Sequence, residues 1–242
     1  MPLVKPFSKF GIWYPIVNII VSSVIAAFAF AGGVILFKWD LTKDALIFAV
    51  PWYLLWGLFA WLAWKISKTK LKEVFSVKSI NLKRVLVAFI IAILAQLIII
   101  SSTSLVSYIT GQKIIGNADG MISDGTPIQM LILISITTLL LAPIFEEIMF
   151  RGLFMDGIFN TSRKLKASPK TATTISIILT SILFGIAHIS SLDLSGLVVF
   201  CATGGLGAYL AYLRIKTGSL TLGIITHALF NSVTVILLLV TL

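Results

Sequence analysis

Long apolar runs separated by short polar connections dominate the sequence. Each run is close to the roughly 20 residues that a helix needs to cross a bilayer, so the pattern predicts seven membrane-spanning helices. We place them at residues 14–37, 45–64, 85–109, 129–160, 172–191, 194–213 and 218–240. The fourth run is too long for one straight crossing and contains Pro143. The predicted fold class is all-α, a polytopic transmembrane helix bundle.

Composition supports a membrane protein and limits its partners. The chain is 58% hydrophobic and 12% charged, whereas soluble domains are about half apolar and a quarter charged. A net charge of +10 would favour nucleic-acid binding in a soluble protein. Here the basic residues lie in the connections between apolar runs, so we expect no nucleic-acid partner. The single cysteine, Cys201, excludes an intrachain disulfide and a C-x-x-C metal site.

The basic residues also predict the orientation of the chain. With seven crossings, nearly all of them fall on one side of the membrane. They are those of the connections 65–84 and 161–171, together with Lys5, Lys9, Arg214 and Lys216. Because basic connections stay in the cytoplasm, we expect an integral protein of a bacterial plasma membrane with its N-terminus inside. The connection 110–128, rich in Gly and Asp, is expected to be mobile.

A few ionisable or amide side chains lie inside the apolar runs. Charged groups there are costly, so they usually face the interior of a bundle and mark a functional site. The candidates are Glu146, Glu147, Arg151, His188, His227 and Asn231. Asp156 lies nearer the inner end, where we expect a solvated helix-end residue, and Asp193 is expected to cap the start of the sixth span.

The spacing of these residues assigns them different tasks. Glu147 and Arg151 are four residues apart, the separation that favours an ion pair on a helix. Adjacent residues point about 100° apart, which leaves Glu146 free to face a cavity. His227 and Asn231 are also four apart. If the fourth helix is unbroken, both histidines, Asn231 and Glu146 share a layer between mid-bilayer and the outer half.

This set can activate water for amide hydrolysis. Glu146 can act as a general base, and His188 can hold the same water or pass the proton to the leaving amine. His227 and the Asn231 carboxamide can donate hydrogen bonds to a tetrahedral oxyanion. The rival arrangement is a zinc ion bound by Glu146, His188 and His227, a common catalytic ligand set. No H-E-x-x-H motif specifies zinc, so the cofactor is either none or zinc.

Three motifs link the chain to a known family. E-E-x-x-x-R occurs as EEIMFR at 146–151, F-x-x-x-H as FGIAH at 184–188, and H-x-x-x-N as HALFN at 227–231. In this order on successive apolar segments, they resemble the CAAX-protease and bacteriocin-processing family of intramembrane endopeptidases, the relatives of CAAX prenyl protease 2. The resemblance covers about residues 140–235.

The resemblance implies a role for each matching residue. Glu146 resembles the catalytic glutamate, His188 its partner in water activation, and His227 with Asn231 the oxyanion pair. The supporting residues are Glu147, Arg151 and Phe184, the last as a pocket wall. Family members are described both as metalloproteases and as metal-independent glutamate proteases.

The resemblance also implies a substrate class and a division of the chain. Family members cleave prenylated C-terminal tripeptides, leader peptides or signalling peptides, and some act in bacteriocin self-immunity. We therefore expect a membrane-associated peptide, or a prenylated or leader-containing protein, within the lipid bilayer. Residues 1–242 would form one integral membrane domain. In it, 1–128 supplies N-terminal spans without motifs and 129–242 the catalytic core.

Two other functions use the same buried residues. A transporter or channel could employ Glu146, His188 and His227 as a proton or cation relay, although the sequence shows no paired repeat of broken helices. A bacteriocin-immunity protein could act by binding alone. The buried residues could also be purely structural, as an ion pair and interhelical hydrogen bonds.

Overall fold

The computed structural model describes residues 3–38, 45–78, 80–114 and 125–240. Within these ranges all regular structure is helical and no strand occurs, which confirms the all-α prediction. The helices are α1 Trp13–Phe37, α2 Ala45–Ile66, α3 Leu71–Val74, α4 Leu82–Thr110, α5 Ile128–Lys164, α6 Pro169–Ile186, α7 Leu194–Thr217 and α8 Thr221–Val240. The greater part of the predicted mobile connection, 115–124, lies outside the described residues.

The long helices match the predicted spans closely in number. Six of the described helices, α1 and α4 to α8, are long and apolar enough to cross a membrane. The second predicted segment corresponds to α2, which has 22 residues. The fifth predicted segment is too long, because α6 ends at Ile186 and a turn follows. Asp193 then caps α7, as predicted, by accepting the backbone N–H of Gly196 at 3.1 Å.

Helix α5 is continuous but irregular. Its segments Thr137–Leu141 and Glu147–Phe154 are π-helical, a geometry that is often found at functional sites. The first of them directly precedes Pro143, which has no N–H to donate to the preceding turn. The helix reaches Lys164, so it continues toward the basic connection as the sequence predicted.

A strap formed by residues 3–12 lies across the basic end of the bundle. The Oδ2 atom of Asp156 accepts the backbone N–H groups of Phe7 at 2.6 Å and Ser8 at 2.7 Å. Arg214 donates from Nη2 to a backbone carbonyl of the strap at 2.7 Å, and its guanidinium lies 3.9 Å from Asp156. The prediction of a solvated Asp156 was therefore wrong. Its carboxylate is fully buried because the strap covers it.

Further hydrogen bonds join distant segments at the same end. Asn160 donates to the carbonyls of Ser8 and Phe10, each at 2.8 Å. Ser219 donates to the carbonyls of Val74 at 3.0 Å and Ser76 at 2.9 Å, which ties the start of α8 to α3. Hydrogen bonds thus join the segments at the basic end of the bundle into one layer.

Candidate active site

Glu146 lies between two histidines and a tyrosine. Tyr53 on α2 donates its hydroxyl to Glu146 Oε1 at 3.1 Å. The other oxygen, Oε2, lies 3.6 Å from His188 Nε2 and 3.9 Å from His227 Nε2. Oε2 is buried and makes no hydrogen bond to any described residue. One carboxylate oxygen is therefore held by the protein, and the other faces both imidazoles.

His188 is oriented by the end of its own helix. It lies two residues after Ile186, the last residue of α6, and its Nδ1 atom lies 2.7 Å from the carbonyl oxygen of Phe184. Because a carbonyl only accepts, this contact places a proton on Nδ1. In the neutral ring Nε2 is then an acceptor, and it is Nε2 that faces Glu146. The early end of α6 thus aims the ring at the carboxylate.

His227 is placed between the two neighbouring glutamates. Its Nδ1 lies 3.4 Å from Glu147 Oε1, on the side of the ring opposite to Glu146. The ring of Phe184 packs against both imidazoles, with centroid distances of 4.4 Å to His188 and 5.7 Å to His227. Phe184 is buried, so it forms a wall between the cluster and the rest of the core.

The predicted ion pair between Glu147 and Arg151 is present and buried. Arg151 Nη1 lies 2.6 Å from Glu147 Oε1, and its Nη2 donates to the carbonyl of Gly207 at 3.0 Å. A Cβ atom at Gly207 would lie 3.3 Å from Arg151 Nη2, and one at Gly223 would lie 3.1 Å from Glu147 Oε2. These glycines let α7 and α8 approach the pair, which fixes the two helices around the site.

Asn231 is held by an irregularity in α5. Its Nδ2 atom donates to the carbonyl of Thr138 at 2.8 Å. In the π-helical register that carbonyl would accept from residue 143, which is a proline without an N–H. Pro143 therefore leaves the Thr138 carbonyl for the Asn231 amide, whose second N–H is not used in this contact.

These side chains line one cavity of about 580 Å³, a volume within the usual range for ligand sites. Its polar end is formed by Tyr53, Glu146, His188, His227 and Asn231. Most of the remaining wall is aliphatic or threonine. The structure thus brings all four predicted catalytic residues to a single cavity, with Phe184 in its wall.

Two residues of the cavity were not anticipated. Tyr53 lies in the aromatic run WYLLW, where nothing in the spacing distinguishes it from packing residues. Gln96 on α4 donates to the carbonyl of Phe230 at 3.2 Å and to Thr234 Oγ1 at 2.7 Å. An amide in the middle of an apolar run was a usable signal for Gln96.

Glu146, His188 and His227 are also the side chains that would hold a zinc ion, since Glu146 Oε2 faces the Nε2 atoms of both histidines. Among the residues that the structure describes, no group of three or more His, Cys, Asp or Glu side chains is placed to hold a metal ion.

Part of the chain matches a known protein family. Residues 128–233 match the family described as type II CAAX prenyl endopeptidase, Rce1-like. Over this range the chain is similar to the CAAX-protease family. The matched range includes all three motifs and the whole polar cluster except Tyr53. No curated protein and no solved structure matches it significantly.

The match supports the predicted resemblance and, at a general level, the predicted function. The match and the apolar helices support an integral membrane protein with the intramembrane endopeptidase function of that family. The match favours proteolysis over the transporter and the binding-only alternatives. Helices α1 to α4 lie outside the matched range.

Proposed function

We propose that the chain is a glutamate-dependent intramembrane endopeptidase. It would hydrolyse a peptide bond of a membrane-associated peptide, or of a prenylated or leader-containing protein. The proposal rests on one observation: Glu146 Oε2 faces Nε2 of both His188 and His227, at 3.6 and 3.9 Å, beside a cavity large enough for a peptide segment.

The geometry supports a specific activation of water. Glu146 Oε2 and the neutral His188 Nε2 are both acceptors, so a water molecule can donate one O–H to each. The lone pairs of its oxygen are then directed to the cavity. As this oxygen attacks the carbonyl carbon of the peptide bond, Glu146 takes its proton as general base.

Charge develops on the carbonyl oxygen in the same step. We assign its stabilisation to His227 and to the second N–H of Asn231, both of which line the cavity. The tetrahedral intermediate then breaks its C–N bond. The proton held by Glu146, passed directly or through His188, goes to the leaving nitrogen, and the products are a carboxylic acid and an amine.

Glu147 and Arg151 support this chemistry without touching the substrate. Their ion pair neutralises the second carboxylate beside Glu146. The Arg151 guanidinium also lies 4.2 Å from the centre of the Phe184 ring and so supports the wall behind the histidines. These contacts favour one position of the wall and, with it, one position of both imidazoles.

We further propose an orientation of the chain in the membrane and a role for each of its two parts. The basic end of the bundle, with its hydrogen-bonded strap, would lie in the cytoplasm of a bacterium, with the N-terminus inside. Residues 129–242 would form the catalytic core within a single integral domain. The N-terminal spans would complete it, since α2 supplies Tyr53 and α4 supplies Gln96 to the cavity.

The test is cleavage by the purified, reconstituted protein. Wild type, Glu146→Gln and His188→Ala would be incubated with a pool of prenylated and leader-type peptides, and products identified by mass spectrometry. General acid–base catalysis contributes about 10²–10⁴-fold, so we expect losses of that order. Glu73→Gln, the same change at an exposed position on α3, is the matched control. Unchanged cleavage in Glu146→Gln would show the catalytic assignment to be wrong.

A further inference from the structure

The side chain of Gln96 on α4 is held in one orientation by α8. Its Nε2 atom donates to the carbonyl of Phe230 at 3.2 Å and to Thr234 Oγ1 at 2.7 Å. Because a carbonyl oxygen only accepts, the atom of the amide that faces Phe230 is the nitrogen and not the oxygen. Both N–H groups of the amide are then used. The hydrogen-bonding capacity that remains is the acceptor Oε1.

The Oε1 atom of Gln96 is available to a ligand in the cavity. Gln96 lines the cavity, and its Oε1 receives no hydrogen bond from the described residues. The atom is accessible and is not enclosed in the core. Water can donate to such an oxygen, but a ligand that displaces the water must supply a donor of its own, or the buried acceptor is left unpaired.

The wall around Gln96 indicates what kind of donor this is. Thr103 and Thr203, which also line the cavity, donate their hydroxyl protons to carbonyls of their own helices, at 3.0 Å to Ile99 and 2.7 Å to Val199. Most of the other side chains in this part of the wall are apolar. The ligand that fits is therefore largely apolar and carries an N–H donor, which describes the main chain of an apolar peptide.

The Gln96 amide lies a short distance along α8 from the polar cluster. Phe230 and Thr234 are three and seven residues after His227, or about 5 and 10 Å along the helix axis, and Gln96 contacts both. The lining residues of α8 continue past these positions to Leu238, so the cavity follows this helix. An extended peptide advances about 3.3 Å per residue. A peptide whose scissile carbonyl lies beside His227 would thus reach Gln96 with about the second or third residue from that bond.

We propose that Gln96 Oε1 accepts a main-chain N–H of the substrate, about two or three residues from the scissile bond. The position of that bond rests on the proposed function, whereas the contact itself requires only that an extended peptide binds in the cavity. Every residue except proline carries a main-chain N–H. The contact would therefore fix the register of the peptide without selecting its side chains, and it would exclude proline at the contacted position.

Ester replacement in synthetic peptides tests this contact by binding. The probes are a short farnesylated peptide with an apolar C-terminal tripeptide and an apolar leader-type peptide without the lipid, each with an N-terminal fluorophore. Each amide is replaced in turn by an ester, which removes one N–H and keeps the length of the chain. Binding to the Glu146→Gln protein in nanodiscs is measured by fluorescence anisotropy, with empty nanodiscs as the blank. The recovered peptide is examined by mass spectrometry.

We expect one ester position to weaken binding roughly two- to tenfold, the range for a single hydrogen bond. The same ester should have no effect when Gln96→Leu is added. Thr234→Val is the matched control, since it removes a partner of the Gln96 nitrogen and leaves Oε1 in place, so the sensitive position should persist. If Gln96 only ties α4 to α8, Gln96→Leu will change the affinity of all peptides by one factor and the ester sensitivity will remain, which would overturn the proposal.

The scan with residue 96 unchanged is already decisive, so the proposal stays testable if Gln96→Leu does not fold. A scan in which no position stands out, or the absence of binding by both probes, would overturn it. Either result would leave the catalytic role of Glu146 untouched, because binding is measured in a variant that does not need to cleave. Cleaved peptide recovered from the Glu146→Gln protein would instead contradict that role, and the pattern of ester sensitivity would still be read from the early binding signal.

Discussion

At the scale of single residues, two adjacent glutamates have opposite surroundings. Glu147 is 1% exposed and paired with Arg151. Glu146, one residue earlier, lines the cavity with an oxygen that has no hydrogen bond to the described residues. The helix produces this contrast because neighbouring side chains diverge by about 100°. One carboxylate is thereby fixed in the core, while the next faces two imidazoles.

Tyr53→Phe tests whether the held oxygen of Glu146 matters. The change removes only the O–H donor to Oε1, and hydrogen bonds to charged groups contribute about 1.5–3 kcal/mol. We expect kcat to fall roughly ten- to hundredfold with KM little changed. Tyr14→Phe is the control, since its hydroxyl donates to the Phe59 carbonyl and does not line the cavity. Equal kinetics in the two variants would remove Tyr53 from the site.

Chelation tests the role of the histidines. If His188 and His227 act on water and on the oxyanion, treatment of the reconstituted protein with EDTA or phenanthroline should leave cleavage unchanged. Cleavage rates before and after dialysis, with metal content by mass spectrometry, measure this. Loss of activity that added zinc restores would mean that the two imidazoles and Glu146 are ligands.

At the scale of elements, the irregular part of α5 connects backbone geometry to the site. Pro143 leaves a carbonyl at Thr138 for Asn231. Only the type of residue at 143 was visible in the sequence, where it predicted a bent span. The carbonyl's partner, Asn231 on α8, is 93 positions away from Thr138 in the sequence. Their contact depends on how α5 and α8 pack together, which no local sequence pattern shows.

Pro143→Ala should separate stability from activity. Alanine restores an N–H and is about 3 kcal/mol more favourable than proline in a helix interior, so thermal unfolding in detergent should not occur at a lower temperature. The new N–H competes for the Thr138 carbonyl, and turnover should fall roughly several-fold as Asn231 is released. Asn231→Ala alone should also lower turnover. Additive losses in the double variant would contradict this link.

The strap is the other element with a measurable contribution. Asp156→Ala leaves two backbone N–H groups and Arg214 without their carboxylate, and breaking a buried pair in this way costs about 3–5 kcal/mol. We expect a clearly lower unfolding temperature in detergent. Asp193→Ala, the same change at the exposed cap of α7, should have a smaller effect. If the two variants unfold alike, the strap contributes little.

At the scale of the whole molecule, the length of the apolar runs predicted the all-helical architecture. The three motifs named the side chains of α5, α8 and the end of α6 that meet at the cavity, because helical spacing fixes the face on which each residue lies. What the sequence did not predict depends on tertiary contacts. Tyr53 and Gln96 belong to the N-terminal spans but line the cavity. Asp156 is buried by the strap, which is about 150 residues away in the sequence.

The closed basic end has a further consequence, for the electrical insulation of the cell. A cavity that is closed toward the basic end leaves about half of the bundle, with the strap and the Asp156–Arg214 pair, as the insulating layer. The transmembrane voltage, worth about 2.3 kcal/mol per elementary charge per 100 mV, then falls mainly across that half. Hydrolysis beside Glu146 then needs no open path through the whole bundle and should not dissipate the proton gradient.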